Sequence, residues 1–217
     1  MARLTALLRS FAAAIVGQAL RLFALFVTAA RADWRGVTPE PVQRVYYANH
    51  TSNADLPMIW AVLPPALRRR TRPVAAADYW LKSPLRAFCG RDVFRGVLID
   101  RRPEVDDDPM GKILAALDKG SSLIIFPEGR RNMGDDPLLP FKSGLYNIGV
   151  ARPNVELVPT WVANLNAIMP KGEVIPLPLI CTVTFGAPIH VRDGEDRHAF
   201  LQRAAEALVD LAPKEPA

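Results

Sequence analysis

Cysteine and histidine are scarce in this chain: Cys89 and Cys181 are the only cysteines, and His50, His190 and His198 the only histidines, among 217 residues. Two thiols cannot build a disulfide scaffold or a cysteine-based structural zinc site. With no HExxH and no His-x-His pair, the chemistry of a metalloenzyme is not expected, and no metal ligands are assigned. Glycine is outnumbered by proline, 13 to 20, which argues for many short elements and rigid turns over a helical bundle or coiled coil. There is no internal repeat and no low-complexity segment. Charged residues make up 23% of the chain and hydrophobic ones 50%, so it can bury a sizeable core and reads as neither disordered nor a polytopic membrane protein. Acidic residues fall short of basic ones, 22 against 27, leaving a net charge of +5. That sign, carried mostly by arginine, favours an anionic partner such as nucleic acid, phospholipid headgroups or a phosphorylated substrate.

The one long apolar run, residues 11–30, reads FAAAIVGQALRLFALFVTAA, with Arg3, Arg9, Arg21 and Arg31 in or around it. As a helix it would just span a hydrocarbon core of about 30 Å. Gln18 and Arg21 interrupt it, and a central arginine costs roughly 2.5–3.5 kcal/mol even on an insertion scale. A helix lying in the membrane interface, its arginines reaching headgroups, fits better than a span or a cleaved leader. Residues 1–33 are therefore expected to form a membrane-associated helical segment, residues 34–212 a catalytic domain and residues 213–217 a frayed tail.

Beyond Trp34, short β-rich runs alternate with helical patterns. Residues 43–48, 73–77, 96–100, 122–126, 157–162 and 181–185 read as strands. Residues 107–119 read as a helix, with Met110, Ile113, Leu114 and Leu117 on one face and Gly120 as its stop. Residues 142–150 and 197–211 are two further helices. This alternation predicts an α/β fold, a central mixed β-sheet flanked by helices, with its site in the loops after strand ends.

The first chemical motif follows the strand at 43–48: Asn49-His50-Thr51-Ser52-Asn53-Ala54-Asp55-Leu56-Pro57. On a regular helix His50 and Asp55 would point about 140° apart, and on a strand to opposite faces. They meet only if the chain bends between them. Ser52 and Asn53 are good N-caps, and Pro57 is tolerated in a first helical turn. His50 would then end the strand and Asp55 open a helix, fixing one imidazole tautomer and leaving the other nitrogen as a general base. The alternative is a capping Asp55 beside a turn histidine. Two more elements place arginines just after strands, where a guanidinium can clamp a phosphate: Gly96-Val97-Leu98-Ile99-Asp100-Arg101 and Phe126-Pro127-Glu128-Gly129-Arg130-Arg131. Gly129 lets a ligand approach the backbone. Lys142 precedes a helix whose N-terminus favours an anion.

Taken in order, these blocks resemble the glycerolipid acyltransferases, in particular the 1-acyl-glycerol-3-phosphate (lysophosphatidate) acyltransferase family. His50 and Asp55 match its His-x4-Asp block, and Gly96, Ile99 and Arg101 its Gly-x-x-Phe/Ile-x-Arg block. Phe126, Pro127, Glu128, Gly129 and Arg131 match its Phe-Pro-Glu-Gly-Thr-Arg block. Val158-Pro159-Thr160-Trp161-Val162 and Phe185-Gly186-Ala187-Pro188-Ile189 resemble its later hydrophobic elements. Arg130 stands where the family usually carries threonine, and the N-terminal segment is short for the two-helix membrane motif of some relatives.

The resemblance implies transfer of a fatty acyl group from an acyl thioester, acyl-CoA or acyl carrier protein, to the free hydroxyl of lysophosphatidate, with the thioester as co-substrate and no other cofactor. His50 would take the hydroxyl proton and Asp55 would orient it. Gly96, Arg101, Glu128, Gly129, Arg130, Arg131 and Lys142 would form the acceptor site, with Glu128 acting structurally or through a glycerol hydroxyl. Glycerol-3-phosphate or a lyso-aminolipid is the alternative acceptor, and a non-catalytic adaptor of the same fold the alternative role. Expected partners are the lysophospholipid, the acyl donor and the inner (cytoplasmic) membrane face, not nucleic acid. Cys89 and Cys181 are expected to be bystanders. Arg68, Arg69, Arg70 and Arg72 either bind anionic lipid or form a solvated basic turn, and the four tryptophans mark either a membrane interface or the core.

Overall fold

The computed structural model describes residues 2–100, 107–163 and 181–213. Seven strands form one sheet: β1 (Arg31–Trp34), β2 (Arg44–Ala48), β3 (Thr71–Ala76), β4 (Val97–Ile99), β5 (Ser122–Ile125), β6 (Glu156–Ala163) and β7 (Thr182–Phe185). Their order is β1-β7-β6-β2-β5-β3-β4. The run from β6 to β4 is parallel. Strand β7 pairs antiparallel with β6, and β1 parallel with β7, so the sheet is mixed, as expected.

The helices are α1 (Ala2–Thr28), α2 (Asp55–Val62), α3 (Pro65–Arg70), α4 (Ala77–Trp80), α5 (Pro84–Phe88) with a π-helical turn at Cys89–Val93, α6 (Pro109–Asp118), α7 (Gly144–Ala151) and α8 (Arg197–Val209). The middle strands are apolar on both faces because helices cover both. Val45, Tyr47, Leu123, Ile125 and Leu157 point into one core with residues of α6, α7 and α8. Tyr46, Ala48, Ile124, Val158 and Val162 point into the other with residues of α2 and α3. Gly120 adopts a left-handed φ of 76° just after α6, the helix stop expected from the sequence. Asp196 caps α8 through bonds from His198 N and Ala199 N.

Strand β1 is not among the strands expected from the sequence. It is reached directly from α1 through Ala29, whose φ of 46° turns the chain. Trp34 then stacks on Phe185 at 4.1 Å between ring centroids. Trp60 and Trp161 are buried, so these two, with Trp34, serve packing.

Helix α1 is 27 residues long and is apolar and long enough to cross a membrane. It packs on α2 and the π-helical turn through Ala13 and Gly17. A side chain at Gly17 would meet Val93 Cγ1 at 3.2 Å and Trp60 at 3.5 Å. The sequence predicts that the arginines of this segment reach headgroups, whereas two of them bond to the protein, Arg9 at its surface and Arg21 against α2. Arg9 makes a two-pronged ion pair with Asp92, both contacts at 2.8 Å, and Arg21 Nε donates to the Ala61 carbonyl at 3.0 Å. On the opposite side Leu4, Leu8, Phe11, Ile15, Leu22 and Phe26 are exposed. At about 100° per residue these fall on one stripe.

Candidate active site

The carboxyl ends of β2, β3, β4 and β5 open onto a groove of about 860 Å³, the position that parallel sheets reserve for ligands. His50 lies just past β2, and Asp55 is the first residue of α2, so the bend expected between them is present. Its cap differs from the one expected. Ala54, not Ser52 or Asn53, occupies the N-cap position, while the Ser52 hydroxyl accepts from Ala54 N at 3.2 Å. The helix opening is organised by Asp55 itself, whose side chain is fully buried. Its Oδ2 accepts from Thr51 N at 2.7 Å, from Ser52 N at 2.8 Å and meets His50 Nδ1 at 2.9 Å. A carboxylate can only accept, so His50 Nδ1 carries the proton. Nε2, on the far side of the ring, is left for the groove that His50 lines. The carboxylate also sits at a helix N-terminus, where its charge is favoured. Its second oxygen, Oδ1, is buried without a hydrogen-bond partner among the described residues.

The histidine is fixed from three other sides. Its ring stacks on Phe126 at 4.2 Å, its carbonyl accepts from Asn132 N at 2.6 Å, and its N–H donates to Glu128 Oε1 at 2.8 Å. Glu128 is 3% exposed, and its other oxygen accepts from Leu139 N at 2.9 Å. Burial pushes its carboxyl above the usual carboxylate range, and nearby Asp55 adds to this, against the two N–H donors and His50. Glu128 therefore ties the loop after β5 to the loop after β2. One residue earlier, Asn49 extends the sheet beyond its last backbone pair. Its amide donates to the Val162 carbonyl at 3.0 Å and accepts from Val162 N at 2.8 Å.

The loop after β5 turns at residues 126–129, closed by Gly129 N on the Phe126 carbonyl at 3.0 Å, with proline at the second position of the turn. Gly129 has a φ of 70°. A Cβ there would stand 2.7 Å from Lys142 Cε and push that side chain aside, so the glycine is required for its conformation and leaves Lys142 its place. Gly129, Arg131 and Lys142 line the groove with His50, and Val74, Ala75, Ile113, Ile125 and Ile148 give it apolar walls.

The structure thus brings together His50, Asp55, Glu128, Gly129, Arg131 and Lys142. Arg130 is exposed and does not line the groove. Gly96 lies at the start of β4, away from the carboxyl ends, donating to the Gly90 carbonyl at 2.7 Å. A Cβ there would press on the Gly90 and Pro73 carbonyls, which gives this glycine a packing role. Arg101 lies outside the described residues. Asn49 and the Phe126 ring also hold the site; both stand inside the motifs quoted above, but nothing local in the sequence marks their contacts. His190 and His198 are exposed surface residues. Burial pushes the Cys181 thiol up to about 11 and raises that of Cys89, so neither is a thiolate nucleophile near neutral pH.

Residues 36–163 match the model of the Acyltransferase family. No curated protein sequence matches the chain significantly. Among solved structures it is similar to the crystal structure of the 1-acyl-sn-glycerophosphate (LPA) acyltransferase PlsC from Thermotoga maritima. That likeness has a TM-score of 0.70 at 20% identity, covering 94% of this chain and 84% of that one. The central mixed sheet with flanking helices is thus a fold shared with that enzyme, and the family match, which takes in His50, Asp55 and the loop after β5, identifies the chain as a member of the Acyltransferase family.

Proposed function

We propose that this acyltransferase moves a fatty acyl group from an acyl thioester to the free hydroxyl of lysophosphatidate, giving phosphatidate. The observation that carries the reading is the contact of His50 Nδ1 with Asp55. It supports a base at Nε2, facing the groove. As the acceptor oxygen attacks the thioester carbonyl, its proton passes to Nε2. Asp55 stabilises the imidazolium as in a serine-type triad, with the substrate hydroxyl in place of serine. Collapse of the tetrahedral intermediate breaks the carbon–sulfur bond, and the imidazolium returns the proton to the departing thiolate. No enzyme nucleophile takes part. Arg131 and Lys142 hold the acceptor phosphate, with Arg101 as a third cation, and the apolar walls receive an acyl chain. The exposed apolar stripe of α1 seats the enzyme on a membrane, on the cytoplasmic side where the thioester donors are made.

Acceptor choice is tested by following product formation with lysophosphatidate, glycerol-3-phosphate and a lyso-aminolipid, each with acyl-CoA and with acyl carrier protein. Phosphatidate as the dominant product, with Arg131→Ala raising the acceptor KM, is the expected result. A dominant product from either other acceptor, or an unchanged KM, would replace lysophosphatidate in this reading.

A further inference from the structure

We propose that the cavity between α1, α3 and the π-helical turn is a second, non-catalytic site that holds the phosphate of an anionic membrane phospholipid. The cavity measures about 620 Å³. It lies at the amino ends of β3 and β4, opposite the carboxyl ends that open onto the groove, where Thr71 opens β3 and Arg95 precedes β4. Arg68, Arg69, Arg91 and Arg95 line it, together with a single carboxylate, Asp92. That carboxylate is already held on both oxygens by Arg9. Among the described residues, no ion pair neutralises the other four guanidinium groups.

Two of these four cations, Arg68 and Arg95, are also held in place. Arg68 donates to the Leu63 carbonyl at 3.0 Å and lies over the Trp60 ring at 5.3 Å. Arg95 donates to the Arg69 carbonyl at 3.2 Å, and Arg72 donates to the Arg95 carbonyl at 2.6 Å. The Arg95 backbone has a φ of 53°, a left-handed conformation that disfavours side chains with a Cβ. Burial, with the charges of Arg21 and Arg69, holds the Arg68 pKa below its ordinary value. Four guanidinium groups around one cavity, two of them fixed by hydrogen bonds, make a ready site for a multivalent oxyanion, which such groups bind through two parallel bonds.

The phase of α1 identifies the anion as a lipid. Its contribution to the cavity is Ser10, Ala13, Ala14, Gly17 and Gln18. At about 100° per residue, Ala14 and Gln18 lie within about 60° of Leu7 and Phe11, and both of those are more than 60% exposed. The cavity therefore opens beside the apolar stripe. A phospholipid supplies both a phosphate for the cavity and chains for the stripe, whereas a free phosphate supplies only the first. This inference rests on the reading of α1 as membrane-seated.

The test is flotation of the full chain with neutral phosphatidylcholine vesicles and with vesicles containing phosphatidylglycerol. Wild type should bind both and prefer the anionic ones. Arg69→Gln/Arg91→Gln/Arg95→Gln should keep its neutral binding and its turnover of soluble short-chain substrates, and lose the preference by about fivefold per charge removed. Ala14→Phe obstructs the α1 side of the cavity without changing charge, and its ratio of anionic to neutral binding should fall as well. A preference that survives Ala14→Phe would overturn the cavity site in favour of a diffuse basic surface. Loss of the preference in wild type to millimolar inorganic phosphate at constant ionic strength would overturn the lipid assignment. Neutral binding without any anionic preference would sink this proposal alone, and absence of binding to any vesicle would sink the membrane-seated reading with it.

Discussion

Replacement of Asp55 by asparagine separates the charge of this residue from its shape. Oδ2 accepts three N–H groups within 2.9 Å, so the asparagine oxygen is held there and its NH₂ takes the place of Oδ1. That atom is buried and unpartnered, so the new donor is left unsatisfied, at about 1–3 kcal/mol. For a chain of this size the melting temperature should fall by roughly 2–4 °C per kcal/mol, and the fold should survive. The catalytic loss is larger. A carboxylate 2.9 Å from an imidazolium contributes about 6 kcal/mol at an effective dielectric near 20, of which an amide dipole recovers part. At about 1.4 kcal/mol per factor of ten, kcat should fall by about 10³–10⁴ while the acceptor KM changes little. Steady-state thiol release, with circular dichroism to confirm folding, reads both. A folded Asp55→Asn within a few-fold of wild-type kcat would refute the claim that Asp55 stabilises a charged His50.

Gly129→Ala should raise the KM for a phosphorylated acceptor with a smaller effect on kcat, because its methyl group displaces Lys142 and its left-handed φ costs about 1–2 kcal/mol; an unchanged KM would remove Lys142 from the phosphate site. Glu128→Gln leaves one of two N–H donors, His50 or Leu139, without an acceptor. It should cost about 1–3 kcal/mol of stability by chemical denaturation and lower turnover as well; full turnover would show that the tie between the two loops does not position His50. Glu195 is held at about 2, below its ordinary 4.5, chiefly by its side-chain hydrogen bond with Arg203. Its contribution to stability is present above pH 4.5 and is lost as pH falls toward 2. The difference in melting temperature between wild type and Glu195→Gln should narrow over that window, and a constant difference would contradict the assignment.

The residues that could be read from the sequence are those whose environment is uniform. Strands β2, β5 and β6 are buried on both faces, so their apolar runs announce them, and α6 shows its period and its glycine stop. Strand β1 is only four residues, Arg-Ala-Asp-Trp, too short for its alternation to stand out and without a β-branched residue. It is a strand because β7 offers an edge, a long-range fact invisible locally. The bend between His50 and Asp55 was legible because both residues need it, yet the cap was not. Ser52 and Asn53 have the propensity, but α2 starts after them at Asp55, whose buried carboxylate gathers the N–H groups of Thr51 and Ser52. Gly96 and Arg130 show the limit of motif matching. A position inside a block can serve backbone packing or solvent, and only the direction of β4 and of the loop after β5 separates these from ligand contact. The bonds of Arg9 and Arg21 to the protein likewise depend on Asp92 and Ala61, distant in sequence.

The central claim is acyl transfer to a hydroxyl with His50 as base. The most direct test follows thiol release from acyl-CoA by the detergent-solubilised protein, with and without lysophosphatidate, beside His50→Ala. The account predicts release that requires the acceptor, that is matched by phosphatidate formed, and that falls by about 10²–10⁴ in the variant with the fold unchanged. Release without acceptor would mean thioester hydrolysis. Acceptor-dependent release at near wild-type rate in His50→Ala would contradict the assignment of the base.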